Sequence, residues 1–427
     1  MKITILNGNS DVNNVSFDNY LAQLSCLLES GDHEVTHFSL RNMNINYCIG
    51  CFGCWVKTPG ECLQKDDSEL VLRTIINSDY LLWASPLKMG FPSALLKKVM
   101  DRCIPLIHPY FEVVNNEAHH RARYAHYPLP GLLLEKETDT TEAEIHIVVD
   151  TFSRTALNMK SRLTLAAVTD QPVEQVARAI EIAAANRVPF DDYPAPTTGE
   201  QIAPPRRITA FNGSPRMAKA NTAVLLEQFL KGFTGVPGNS SEVIHIGRRA
   251  GSGELRQAFA DAECVWLGFP LYTDSMPGIV KTFIESLEPL RGRADNPPIG
   301  FLVQSGFPES AHSRHVERYL EALAARLGSP YLGAIIKGGC EGVRLMPDKM
   351  NRKLFDGLNE LGRNFAESGR LDPVLLSALA KPERYGKGLI PLFKLLSLTP
   401  LLSFYWDGEL KKNGAYNRRF ARPYALY

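Results

Sequence analysis

"SDYLLWASPLKMGFPSALLKKVMD" (78–101) and "AECVWLGFPLYTDSMPGIVKTFIE" (262–285) decide the fold. Each is an apolar run, then Pro-Leu, a short loop, a second proline and an amphipathic segment. Pro86 stands eleven residues before Lys97, and Pro270 eleven before Lys281. A second pair agrees: "KITILNGNS" (2–10) and "RITAFNGSP" (207–215) are short strand patterns ending in Asn-Gly and a small polar residue. The chain is a duplication.

Around these anchors each half alternates strand and helix patterns. In the first half the strands are "KITILN", "HEVTHFSL", "DYLLWAS", "PGLLLE" and "RLTLAAVTD". The first helix covers Ser16–Ser30, with Phe17, Tyr20, Leu21, Leu24, Leu27 and Leu28 on one face. A later helix opens at "DTTE" (139–142), a capping pattern. The second half repeats the order with "RITAFN", "EVIHI", "ECVWLGF", "PIGFLVQ" and "YLGAIIK", and helices near 219–233, 252–261, 277–288, 311–327 and 350–368. Five strands, each followed by a helix, predict a parallel sheet covered on both faces in each half. The expected organisation is a domain over 1–187, a Pro-rich linker over 188–205, a second domain over 206–369 and a tail over 370–427.

With 427 residues, 22% charged residues and a net charge of +1, the chain has no electrostatic pull toward nucleic acid or anionic membrane. The opening "MKITILNGNS" lacks a signal peptide's apolar core, so a cytoplasmic setting is expected. There, eight cysteines argue for metal or redox chemistry before disulfides. "LIPLFKLLSLTPLLSFYW" (389–406) is broken by Lys394, Pro391 and Pro400, so no membrane span is expected. It reads as a packing tail, with residues 389–427 over a homodimer partner and Phe404, Tyr405 and Trp406 near the site.

Ligands of such sheets bind outside the carboxyl ends of the strands. Three loops of the second half emerge there. "NGSPRMAKANT" (212–222) pairs small residues with Arg216 at a helix start, a pattern for phosphate that a plain capped helix also explains. "PLYTDSMPG" (270–278) and "QSGFPES" (304–310) offer a flat aromatic wall and a glycine loop. No G-x-G-x-x-G follows a first strand, which argues for a mononucleotide over a dinucleotide.

These motifs resemble the NADPH-dependent FMN reductase family of flavodoxin-like proteins, over most of residues 206–340. The resemblance implies two tandem flavodoxin-like doubly wound α/β domains, FMN as cofactor and NAD(P)H as substrate. Ser214, Arg216, Asn221 and Thr222 would hold the phosphate. Pro270, Leu271, Tyr272 and Thr273, with Ser305 and Gly306, would line the isoalloxazine. The equivalents in the first half are Asn9, Ser10, Ser16, Pro86 and Leu87. That half departs from the pattern, with Asp11 where an arginine would help and Lys88 in place of the aromatic.

The first half is similar to the iron–sulfur flavoproteins, marked by a compact cysteine group after the second strand and an acidic pair. "YCIGCFGCWVKTPGECLQKDD" (47–67) carries Cys48, Cys51, Cys54 and Cys62, with Asp66 and Asp67. Three readings stand: a [4Fe–4S] cluster, a structural zinc, or reduced thiols in a tight loop. Cys26, Cys103, Cys264 and Cys340 read as core. "AHHRARYAH" (118–126) reads as a solvated loop. The chemistry expected is electron transfer from NAD(P)H through FMN to a small-molecule or protein acceptor. Quinone, azo or nitro reduction is the alternative, and so is a flavin-free half serving as a binding module.

Overall fold

The computed structural model describes all residues except 115, 387, 389, 391–402 and 427, and gives only the backbone of Arg248. The chain divides into two compact units, residues 1–192 with 386–427, and residues 193–385.

In the first unit the main sheet is built from β1 (Lys2–Asn7), β2 (Glu34–Ser39), β3 (Tyr80–Lys88), β7 (Leu129–Glu135) and β8 (Leu165–Val168). The order is β2-β1-β3-β7-β8 with every pair parallel, and the two-residue β4 (Phe91–Pro92) folds back antiparallel on β3. Numbered along the main path this is 2-1-3-4-5, the flavodoxin-like order. The helix α1 (Val15–Ser30) buries Phe17, Leu21, Leu24 and Leu28, which meet Ile3, Ile5, Leu82 and Leu133 of the sheet. Cys26 lies two residues beyond Leu24, off that stripe, and is exposed, which corrects its placement in the core. The capping box of α5 (Glu142–Asn158) is made by Thr141 and Glu144, just beyond the expected tetrad.

The histidine-rich segment is not a solvated loop. It forms β6 (Glu117–Ala122), paired antiparallel with β5 (Ile107–Val114), and buries His119 and Arg123. Burial is tolerated because the polar groups are met: Glu117 lies 3.5 Å from His119 and 2.7 Å from Arg154, Arg154 also meets Asp192 at 2.9 Å, and Arg123 donates to the Arg419 and Ala421 carbonyls at 3.2 and 3.0 Å.

The second unit repeats the plan with β9 (Arg207–Asn212), β10 (Ser240–His245), β11 (Val265–Pro270), β12 (Ile299–Gln304) and β13 (Tyr331–Lys337), in the parallel order β10-β9-β11-β12-β13. The helices α7 (Asn221–Thr234) and α11 (Asp348–Ser368) pack together over one face, around Phe229, Trp266 and Phe365. Part of the Pro-rich stretch is held along β13: the Glu200 N–H donates to the Tyr331 carbonyl at 2.7 Å, and the Thr197 hydroxyl meets the Tyr331 hydroxyl at 2.6 Å.

The duplication reaches the buried charges. Lys97 in α4 (Ala94–Asp101) pairs with Asp101, and Lys281 in α9 (Gly278–Ser286) pairs with Glu285 at 2.7 Å. Both lysines are fully buried and carry their counter-ion one helical turn on.

Residues up to Tyr385 of the expected tail fold with the second unit, and the described residues from Gly386 group with the first. The C-terminal helix Phe404–Lys412 lies on the first unit of its own chain. Trp406 is buried there, while Phe404 and Tyr405 are exposed. Among the described residues no helix is long and apolar enough to cross a membrane. Most of the apolar stretch 389–406 lies outside the described residues.

Candidate functional site

The three loops of the second unit converge at the carboxyl end of its sheet. Gly213 leaves β9 with its N–H donated to the Gly268 carbonyl at 2.7 Å, and a Cβ there would meet Val280 at 2.3 Å. Glycine is required by this close approach. The Asn212 side chain then folds the loop, accepting from the Ser214 N–H at 3.0 Å, and the Ser214 hydroxyl accepts from the Arg216 N–H at 3.3 Å.

The helix α7 begins behind Ala220, which has no side-chain oxygen, so no side chain caps it. Its first N–H groups and positive dipole end point into the loop beside Ser214, Arg216 and Thr222. Asn221 is committed: its amide donates to the Glu341 carbonyl at 3.2 Å and its carbonyl accepts from the Arg344 N–H at 3.2 Å. Thr222 is fully buried and accepts from Gln304 at 3.3 Å, at the end of β12.

In the second loop Pro270 is buried, and Leu271 and Tyr272 are half-buried. Tyr272 and Ser275 exchange backbone hydrogen bonds at 2.9 and 3.1 Å around Thr273 and Asp274. Both central residues have positive φ, 46° and 58°, a strained choice for a β-branched threonine. The Leu271 N–H donates to the Gln304 carbonyl at 2.7 Å, tying this loop to the third. There Ser305 is buried with its hydroxyl on the Phe307 carbonyl at 3.1 Å, while Gly306 is exposed.

Sequence reasoning missed a fourth loop, after β13. Its Glu341 lies 3.6 Å from the Arg216 guanidinium, and the Cβ position of Gly306 is 3.6 Å from the Glu341 carboxylate. Burial pushes the Glu341 carboxyl up, against the opposing pull of Arg216. Nothing in the local sequence announces this, because the contact joins residues 125 apart.

The corresponding cradle of the first unit is filled from within. Asn14 caps α1 by accepting from the Phe17 N–H at 3.2 Å, which satisfies a donor that α7 leaves open. The Asn14 amide donates to Glu135, and Ser16 donates to Asn14 at 2.9 Å. Asn9 is buried and spends its side chain on the Asn14 carbonyl and Asp18, at 2.9 and 3.2 Å, while Ser10 is exposed. Asp18 is held by Arg41 at 2.7 Å. Pro86 and Leu87 are buried at the end of β3. The turn that follows, Met89–Gly90, gives both N–H groups to the Glu137 carboxylate at 3.0 and 2.8 Å.

The cysteine loop forms a separate feature of this unit. Cys48, Cys51, Cys54 and Cys62 line one cavity with Phe52, Gln64, Arg102 and Ile104. It encloses about 20 Å³, enough for a water molecule. Backbone donors turn onto the sulfurs: Gly50 onto Cys48, and Gly53 onto Cys51 at 3.4 Å. Gly50 and Phe52 take positive φ to make these turns. Burial first, then Asp101, pushes the Cys48 thiol up to about 12, and burial puts Cys54 well above its usual range. Among the described residues no three His, Cys, Asp or Glu side chains are grouped so as to hold a metal ion as they stand.

The acidic pair is structural. Asp66 accepts from the Asn46 N–H at 3.0 Å and from Arg102, and Asp67 accepts from the Asn44 N–H at 2.7 Å. Together they pin the chain entering the cysteine loop to the start of α3 (Ser68–Ile76).

Residues 1–125 match the family model described as NADPH-dependent FMN reductase. An iron-sulfur flavoprotein of Archaeoglobus fulgidus is 37% identical over 81 residues, 19% of this chain and 36% of that protein. One from Methanocaldococcus jannaschii is 39% identical over 80 residues, 19% of this chain and 39% of that protein. The matched stretch thus spans well under half of these relatives. Among solved structures, the azoreductase AzrA covers 37% of this chain and 100% of its own, at 15% identity and a TM-score of 0.30. An apo NADH:FMN oxidoreductase covers 37% and 89%, at 20% identity and a TM-score of 0.30. The family match falls on the first unit, where the motifs resemble iron–sulfur flavoproteins. The reading of residues 206–340 stands on its own motifs.

Proposed function

We propose that, starting from the family match of residues 1–125, this chain is an FMN-dependent NAD(P)H oxidoreductase with its flavin in the second unit. One observation carries the choice of unit: α7 is uncapped beside Arg216, whereas α1 is capped by Asn14 and faced by Glu135 and Asp18. Each cradle pairs a guanidinium with a carboxylate, Arg216 with Glu341 and Arg41 with Asp18, so the difference a phosphate dianion meets is the helix start: uncapped at α7, and already capped by Asn14 at α1.

When bound, FMN supplies hydride transfer and a [4Fe–4S] cluster supplies single-electron transfer. The residues of the chain hold and orient. Ser214, Arg216 and Thr222 bind phosphate with the first N–H groups of α7. Pro270, Leu271, Tyr272 and Thr273 would line the isoalloxazine, together with Ser305 and Gly306 of the third loop. The Thr273–Asp274 turn would supply polar backbone groups near the flavin, which on reduction gains negative charge. The four thiols suit an iron–sulfur group by donor type and by the N–H groups directed at sulfur, and the loop would have to open to hold one, since the cavity they share has room for a water molecule. An acceptor takes the electrons, small molecule or protein, with quinone, azo or nitro compounds as the chemical alternatives. A homodimer in the cytoplasm is the expected setting.

A second reading has an observation of its own. Glu137 occupies both turn N–H groups of the first cradle, which suits a flavin-free first unit acting as electron-transfer or partner-binding module.

The test is the full chain purified without oxygen. About one FMN per chain should be released on denaturation, and Arg216→Ala should weaken FMN by roughly 1.5–3 kcal/mol, the range for a hydrogen bond to a charged group. Full retention in that variant would put the flavin in the first unit. About four iron and four sulfide per chain are expected, lost in Cys51→Ser. Zinc instead would make the loop a structural staple, and no metal would leave it a thiol loop.

A further inference from the structure

We propose that Glu341 is a resident anion of the phosphate cradle, holding Arg216 until the phosphate of a ligand displaces it. This rests on the reading that the second unit takes FMN. Three contacts place Glu341 there. Its carboxylate stands 3.6 Å from Arg216 and faces Gly306 of the third loop, and its carbonyl holds the amide of Asn221, the first residue of α7. The Arg344 N–H, three residues on, closes the same asparagine from the other side. The loop after β13 therefore lies over the uncapped helix start and supplies its own negative charge to the one guanidinium in the phosphate loop.

A carboxylate and a phosphate compete for the same donors, and their charges repel at this range. The consequence is a site that discriminates by charge. A flavin bearing a phosphate gains Arg216 only by expelling Glu341 from it, whereas riboflavin has nothing with which to do so. Glu341 thus sets how much of the intrinsic phosphate affinity the chain expresses. The carboxylate is about one-third exposed, so swinging into water costs it little packing.

The experiment compares FMN and riboflavin binding to the flavin-stripped full chain, by quenching of flavin fluorescence, in the parent and in Glu341→Gln. The parent should bind FMN more tightly than riboflavin. The variant should tighten FMN by about tenfold, the size of one contested charge-assisted hydrogen bond, and leave riboflavin unchanged. Inorganic phosphate should compete with FMN more strongly in the variant. Glu341→Ala serves as a second variant and should shift FMN in the same direction. An unchanged FMN-to-riboflavin ratio, or both ligands weakening together, would overturn the proposal and make Glu341 a structural contact. Equal affinities of the parent for FMN and riboflavin would instead remove the phosphate site itself, and the proposal with it.

Discussion

Asp66→Ala should destabilise the first unit by about 3–5 kcal/mol, the cost of breaking a buried ion pair from one side. Both side chains are sealed: Asp66 is 0% and Arg102 1% exposed. Arg102 meets the two carboxylate oxygens at 2.8 and 3.1 Å and donates further to the Asn46 and Gln64 carbonyls and the Ser68 hydroxyl. Asn46 precedes Cys48 by two residues and Gln64 follows Cys62 by two, so one guanidinium ties both ends of the cysteine loop. Without Asp66 that cation stays buried with no opposing charge. Urea unfolding of the full chain reads the loss as a lower midpoint for the transition that exposes the first unit. A shift under about 1 kcal/mol would mean the pair is dispensable.

The same pair gives a pH dependence whose sign can be worked out. Burial alone would raise the Asp66 carboxyl; Arg102, then Ser68 and the Asn46 N–H, outweigh it and hold the group well below the ordinary carboxylate range. A carboxyl lowered on folding contributes stability above its unfolded value of about 3.9 and loses it as the pH falls further. Asp66→Asn should therefore flatten the acid limb of the stability curve and leave its neutral side level.

How much of this was legible depended on the distance over which a residue acts. The ten main strands and the doubled sheet follow from local period and the Pro-Leu repeat, because each strand's apolar run is a statement about its own burial. Arg216 and Ser214 were legible because their loop is contiguous with the helix it precedes. Glu341 was not, since it stands on a loop with no motif and its partner Arg216 lies 125 residues earlier in the chain. The histidines of 118–126 misled for the same reason. Their polarity suggested solvent, yet Arg154 and Glu117, far apart in sequence, neutralise each other inside. Cys26 was placed wrongly for a local reason: Leu27 beside it extends the apolar pattern past the buried stripe of α1 and is itself exposed.

The tail shows the limit most clearly, and it yields the second large effect: Trp406→Ala should cost about 3–5 kcal/mol, as large aromatic truncations in packed sites do. Its apolar content was plain from sequence, but its partner was not. Trp406 stands edge-on to Phe52 at 5.4 Å and to Trp55 at 5.2 Å, two rings of the cysteine loop that stack on each other at 5.0 Å. Trp55 is fixed from behind, donating to the Ile104 and Ile107 carbonyls at 3.1 Å each, and Asp407 accepts from the Tyr110 hydroxyl at 2.7 Å. Further along, Pro423 lies so close to Gly60 that a Cβ there would meet it at 2.6 Å, and Gly60 has a φ of 91° open to glycine alone. The C-terminal segment is thus one wall of the cysteine loop, and Cys54 is buried in the cluster it completes. Removing the indole opens that wall, so the measurement is thiol labelling of the metal-free chain alongside urea unfolding. Cys51, exposed in the parent, should react at an unchanged rate, while Cys54 should go from protected to readily labelled. Trp406→Phe should restore most of the protection. Labelling of Cys54 that stays as slow in Trp406→Ala as in the parent would show that the loop keeps its shape without the tail.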